Sequence, residues 1–390
     1  MKSKKMKSEK RIFTMFSFLL LTLYFTANIS AQKLEWEVVD DIRPITRVEQ
    51  TASQILDIDG DGIDDFVITE RRNSPSVVWY KYNGKTWKKH FIEKEPLHIE
   101  ASGAYLDIDK DGDLDIIFAG DSRLNQIWWW ENPAPNFKEP WKRYIIKNRG
   151  GKQHHDQIVG DFDNDGELEL VSWNQKDSAL IIFEIPKNPK TVKEWEYKTI
   201  YKGSRKDEGL AKADINEDGK LDIIGAGKWF ENIGDLNFTP HVIDASMNYT
   251  RSSVGQLVKG GSLEVLFCPG DANGEVKWYE WKNDKWISHV LTSVIHGHSV
   301  DIRDFDNDGN MDIFIGEMGS PGAGDNANIM IYYGNGKGNF LKDIVRTGQG
   351  IHEGKVGDLN GDGILDILVK PYRHNAPKVE VILGKKKAAK

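Results

Sequence analysis

A single cysteine, Cys268, leaves this chain of 390 residues without an internal disulfide and without a thiolate zinc or iron–sulfur centre. A net positive charge is also lacking. The 52 Lys+Arg stand against 60 Asp+Glu, a formal charge of −8, and sequence-independent binding to nucleic acid needs a strongly positive field. No glycine-rich phosphate cradle or dinucleotide fingerprint is found, which turns attention away from nucleotides. What the chain does have is core material, 39% hydrophobic residues with 13 Trp, enough to exclude wholesale disorder.

The first segment reads as an address. Lys2, Lys4, Lys5, Lys7, Lys10 and Arg11 precede the apolar run IFTMFSFLLLTLYF, and ANISA offers small residues for cleavage after Ala31. Residues 1–31 are therefore expected to be a secretory signal peptide, giving a secreted or periplasmic protein with no membrane span after cleavage. No cysteine follows the run to take a lipid anchor. Cleavage removes six positive and one negative side chain and takes the charge from −8 to −13. An exported acidic chain without disulfides needs another source of bracing.

An internal repeat suggests that source. DIDGDGIDD from Asp57 recurs as DIDKDGDLD from Asp107, DFDNDGELE from Asp161, DINEDGKLD from Asp214, DFDNDGNMD from Asp304 and DLNGDGILD from Asp358. The spacings are 50, 54, 53, 90 and 54 residues, so a fifth unit lacks the motif and shrinks to Lys259-Gly260-Gly261. Aromatic-led strand patterns open at Trp36, Trp87, Trp141, Trp195, Phe238, Trp286 and Phe340, which makes seven units. Units of this length predict an all-β, seven-bladed propeller of four-stranded blades over residues 32–384, with residues 385–390 a basic tail. The first aromatic-led strand precedes any complete unit and is expected to complete the last blade, removing the free edge.

Each acidic loop places oxygens at positions 1, 3, 5 and 9, with glycine at position 6 for a sharp turn, a pattern suited to calcium. The ligands expected are Asp57, Asp59, Asp61 and Asp65 in the first loop, then Asp107, Asp109, Asp111 and Asp115, then Asp161, Asp163, Asp165 and Glu169. The remaining loops offer Asp214, Asn216, Asp218 and Asp222, then Asp304, Asp306, Asp308 and Asp312, then Asp358, Asn360, Asp362 and Asp366. An EF-hand would need an acid at position 12, which is Ile68, Phe118 and Ser172 in the first three. Up to six structural calcium ions would take over the stapling that disulfides usually provide.

These loops resemble the FG-GAP or VCBS repeats of calcium-loop β-propellers, and the resemblance spans about residues 34–384, with the fifth unit departing from it. Because the first two strands of each blade are antiparallel, the loops joining them share one face, and function is expected on the opposite face, where the chain enters the first strand and leaves the second. The approaches to the first strands carry six of the ten His: His98, His154, His155, His296, His298 and His352. They also carry Arg47, Glu49, Asp207, Glu208, Tyr249, Arg251 and Glu353, and the exits add Arg71, Arg72, Arg123, Lys176, Lys228, Tyr372, Arg373 and His374. His90, His241 and His289 recur in the outer strand and are expected to be framework.

A basic, imidazole-rich mouth suits an anionic carbohydrate, because guanidinium groups bind carboxylate and sulfate in bidentate fashion. The resemblance extends to seven-bladed polysaccharide lyases and sugar dehydratases, which implies β-elimination on uronic-acid saccharides such as ulvan. His155, His298, His352 and Tyr249 are candidates for base and acid, with His98 and His154 beside them. Arg47, Arg251 and Arg373 are candidates for holding the carboxylate, with Arg71, Arg72, Arg123, Lys228 and Tyr372 as further substrate contacts. Zinc held by three of the His is an open alternative. So are a non-catalytic propeller that binds glycans or proteins, and hydrolysis by paired carboxylates, which the excess of His and Arg over acids disfavours. The sequence does not fix the oligomeric state.

Overall fold

The computed structural model describes residues 34–42, 45, 49–247, 249–372 and 378–387. The signal-peptide segment, Arg47, Arg373 and the end of the basic tail lie outside the described residues.

The described residues form seven four-stranded sheets. Their innermost strands are Gln50–Leu56, Ala104–Leu106, His154–Gly160, Ala211–Ala213, Thr250–Gly255, Ser299–Arg303 and Lys355–Gly357. Each touches the next and the last touches the first, so the blades close into a ring. In the seventh blade Glu35–Ile42 lies antiparallel to Val379–Lys385, with Trp36 opposite Gly384 and Val38 opposite Ile382. The N-terminal strand thus closes the ring, and the last strand runs one residue into the expected tail. Among the described residues no helix is long and apolar enough to cross a membrane.

The second strand of each blade is packed on both faces, which is why it reads as a continuous apolar run. Asp65–Glu70 and Asp115–Ala119 are buried throughout. The core is a series of clusters between neighbouring blades, such as Trp129, Leu170 and Phe183 between the second and third. The outer strands repeat one aromatic device. His90, His241 and His289 stand opposite Trp79, Trp229 and Trp278 and lie against them with ring centroids 4.8, 4.8 and 3.9 Å apart. These three histidines are framework residues, as the repeat suggests.

The acidic loops all share one face. In every one the glycine at position 6 has a left-handed backbone, from φ 79° at Gly363 to 101° at Gly112, and its N–H donates to the first aspartate, for example Gly363 to Asp358 at 2.7 Å. Position 1 therefore shapes the turn as well as offering an oxygen.

Position 9 also has a part in the fold. The carboxylates of Asp115, Glu169, Asp222, Asp312 and Asp366 each accept the N–H of the residue seven places earlier. Four of them, Asp115, Asp222, Asp312 and Asp366, spend their second oxygen on the N–H that ends the third strand, at Asn132, Asn232, Gly334 and Gly384. These residues are latches that tie two strand ends together across the second strand. The fifth unit confirms it: it lacks the acidic loop yet keeps Glu264, which accepts from Leu257 and Val258. Asp222, Asp312 and Asp366 thus hold the strand ends, and Asp115 and Glu169 do so while also reaching the acid clusters of their loops.

Candidate functional site

Where the innermost strands begin, seven chain segments converge on the ring axis. His155, Glu208, His298 and His352 surround a cavity of about 370 Å³, with Arg71, Glu100, Asp271, Met318 and Tyr372 also on its wall. Arg251 lies deeper, lining a second axial cavity of about 590 Å³ with Asp156 and Glu353.

Arg251 is the hub of this region, 6% exposed. Its guanidinium lies 3.3 Å from Asp156, 3.4 Å from Glu208 and 3.4 Å from Glu353, and its Nη2 is 2.6 Å from Nε2 of His298. Burial alone would lower its pKa, but Asp156, Glu353 and Glu208 raise it. The same contacts hold the acids ionised. Asp156 is lowered by His155 and Arg251 against the cost of burial, Asp271 by its hydrogen bond with His298, and Glu353 by Lys355, Arg251 and His298 against burial.

The two central imidazoles are driven in opposite directions. His155 Nδ1 is 2.9 Å from Asp156 Oδ2 and its Nε2 3.7 Å from Glu208 Oε1. Burial pulls its pKa down, yet Glu208 and Asp156 outweigh burial and hold it up at about 10. His352 is pushed well below its ordinary value by burial, then by His298, Lys370 and Arg251. Its ring lies between His298 and Tyr372, with centroids 4.2 and 4.7 Å away. One cavity thus holds an imidazolium and a neutral imidazole.

Other expected residues fall elsewhere. His154 faces the opposite side of its strand from His155, because neighbouring residues in a strand alternate. It is fully buried against Lys147, Nε2 to Nζ 3.0 Å, and burial lowers its pKa to about 3. His98 lies beside Arg123, 3.2 Å away, outside the residues lining the cavity. Arg72 pairs with Glu49 at 2.9 Å and Lys228 with Asp207 at 3.5 Å, and neither lines the cavity. Arg71 does line the cavity; it pairs with Glu100 and donates to the Tyr372 hydroxyl at 3.0 Å. Tyr249 is exposed beside the site, its pKa raised by partial burial and by Glu208, Asp207 and Asp271.

The expected excess of positive charge is also corrected. Glu100, Asp156, Glu208, Asp271 and Glu353 all reach the axis, and Arg251 is taken up by three of them. Glu100, Asp156 and Asp271 carry no sequence signal of their own, although Asp156 directly follows His155. Among the described residues no three His bring their ring nitrogens together as metal donors. The donor set that does gather is Glu208, Asp271 and His298, and the Arg251 guanidinium already contacts two of them.

On the loop face, Asp57, Asp59 and Asp61 converge, as do Asp107, Asp109 and Asp115, Asp161, Asp163 and Glu169, and Asp304, Asp306 and Asp308. Asp59 Oδ1 and Asp161 Oδ1 are buried without a hydrogen-bond donor. Convergent carboxylates with orphaned oxygens fit a hard cation. Two loops also receive a lysine, Lys81 at Asp59 and Asp61 and Lys190 at Asp109.

The FG-GAP-like repeat family matches residues 107–172 and 161–225. No curated protein sequence matches the chain. Among solved structures, BBS1N in complex with ARL6DN is similar at 14% identity and a TM-score of 0.55, over 92% of this chain and 98% of that one. YCF48 from Cyanidioschyzon merolae is similar at 10% identity and a TM-score of 0.53, over 90% and 98%. The rhamnogalacturonan lyase YesW matches at 12% identity and a TM-score of 0.49, over 89% and 75%. At such identities the likeness concerns the fold alone. The chain is a seven-bladed β-propeller in which residues 107–225 match the FG-GAP-like repeat.

Proposed function

We propose that this protein is an exported lyase or dehydratase that performs β-elimination on uronic-acid saccharides, with calcium bracing the opposite face. The observation that carries the reading is the pair of oppositely tuned imidazoles in one cavity, since groups whose environments push their pKa values apart mark acid and base. His352, neutral, takes the proton from C5 of the uronate. His155, held protonated, gives its proton to the oxygen leaving C4. The C5–H electrons form the C4=C5 double bond as the C4–O bond breaks, so the products are a 4,5-unsaturated uronate and an alcohol, or water where C4 bears a free hydroxyl. Arg71 and the Tyr372 hydroxyl on the same wall meet the carboxylate, whose charge grows as C5 loses its proton. Hydrolysis by two carboxyl groups is disfavoured on new grounds. It needs one carboxyl kept protonated, and Asp156, Asp271 and Glu353 are all lowered.

On the other face, calcium would be held by the convergent acids at positions 1, 3 and 5, joined by Asp115 and Glu169. Its part is structural, and no step of the elimination passes through it. Export rests on the basic and apolar pattern of residues 1–31.

The test is to incubate the purified protein with uronic-acid polysaccharides and their oligosaccharides and follow the ultraviolet absorbance of the unsaturated product. Absorbance should rise, and fall by about 10²- to 10⁴-fold in rate for His352→Ala or His155→Ala, measured below the melting temperature of each variant. The internal pairing of Arg251 and Arg71 favours a second reading, a non-catalytic glycan-binding propeller. Measurable saccharide binding with no absorbance would establish it instead.

A further inference from the structure

Behind His352, on the side away from the cavity, lies a lysine that the elimination does not use. Lys370 directly follows the strand Asp366–Val369 and is 0% exposed. Its Nζ has three neighbours: it donates to the carbonyl oxygens of Thr51 at 2.6 Å and Gln50 at 3.0 Å, and it lies 3.3 Å from Nδ1 of His352. His352 Nδ1 is in turn 3.2 Å from the Thr51 carbonyl.

This geometry allows two arrangements of protons. A charged ammonium has three N–H groups and here meets three acceptors, provided that Nδ1 of His352 is bare. The imidazole proton then sits on Nε2, and the ring cannot take another proton from substrate there. A neutral amine has only two N–H groups and no longer needs Nδ1 as an acceptor. Nδ1–H is then free to donate to the Thr51 carbonyl, leaving Nε2 bare. The hydrogen bond made by one ring nitrogen decides the state of the other.

We propose that Lys370 is a positioning residue that decides which nitrogen of His352 carries the proton, and that His352 serves as base only while Lys370 is neutral. This rests on the reading of His352 as the base. Burial lowers the Lys370 pKa to about 7, which places the change where it matters. The charged groups that face it are Glu353 and Glu70, which raise its pKa, and Lys355 and Arg71, which lower it. The imidazole stays neutral throughout, so the group that titrates is not the group that reacts.

Two measurements test this. The first is the ¹⁵N spectrum of His352 in the intact protein, followed from about pH 6 to about pH 8. The proton should move from Nε2 to Nδ1 across that window in the wild type, and should sit on Nδ1 at both ends in Lys370→Met. A wild-type ring that keeps one tautomer over the whole window overturns the proposal, whether or not the protein is a lyase. The second is the pH–rate profile of the elimination. Lys370→Met should lose the rise in kcat near pH 7 and turn over about tenfold faster than wild type near pH 6, with KM little changed. A variant that retains the wild-type profile at a uniformly lower rate makes Lys370 merely structural. Should Lys370→Met fail to fold, the wild-type spectrum decides alone.

Discussion

His154 and His155 are neighbours in the chain with opposite fates. Strand alternation sends one into the blade against Lys147 and the other to the axis between Asp156 and Glu208. Burial without an anion keeps His154 neutral down to about pH 3, whereas two carboxylates keep His155 protonated up to about pH 10. The consequence for stability follows from linkage. Below about 6.5, the ordinary histidine value, the unfolded chain takes up a proton that folded His154 refuses. The stability present above that pH is therefore lost as the pH falls toward the folded value. In His154→Gln the decline between about pH 6 and about pH 4 should be shallower by up to about 1.4 kcal/mol per pH unit. Urea unfolding at a series of pH values measures it, and parallel curves for variant and wild type would show that His154 does not titrate in this way.

At the scale of the element, the acidic loop and the latch behind it are separable. The convergent carboxylates of a loop answer to a cation, but the latch carboxylate answers to backbone N–H groups and persists at Glu264, where the loop is gone. In Asp312→Ala the N–H groups of Phe305 and Gly334 would both be buried without an acceptor. The cost should be about 2–4 kcal/mol, the same with calcium or with chelator. In Asp163→Asn the loss should appear only with calcium present, because a chelator abolishes in the wild type what the variant lacks. Chelation itself should lower the wild-type melting temperature by about 10 °C. Calorimetry of the three proteins in both conditions separates the roles; a chelator-insensitive wild type removes calcium from the loops.

The repeat made the ring legible because periodic acid loops and aromatic strands are local patterns, and seven of them admit little besides a propeller. The site was legible only in part. The approaches to the first strands pointed to His155, His298 and His352, since fold symmetry brings equivalent positions to the axis. What the sequence could not show was pairing across blades. Arg251 meets Asp156 at a separation of 95 residues, and that contact turns an expected substrate clamp into an internal counter-ion.

Ring closure raises the same issue for the whole molecule. The seventh blade is assembled from both ends of the propeller, so its last ladder, Glu35–Ile42 on Val379–Lys385, joins residues more than 300 positions apart. Without the N-terminal strand, Val379–Lys385 becomes an exposed edge with unpaired N–H and C=O groups, and Leu34 and Trp36 leave the cluster around Phe305 and Ile382. A chain shortened to begin after Ile42 should retain its remaining six blades' pairing but melt at a lower temperature and associate as concentration rises. Light scattering and melting curves over a range of concentrations test this. A shortened chain that stays monomeric and melts with the full one would mean that the inner strands alone hold the wheel shut.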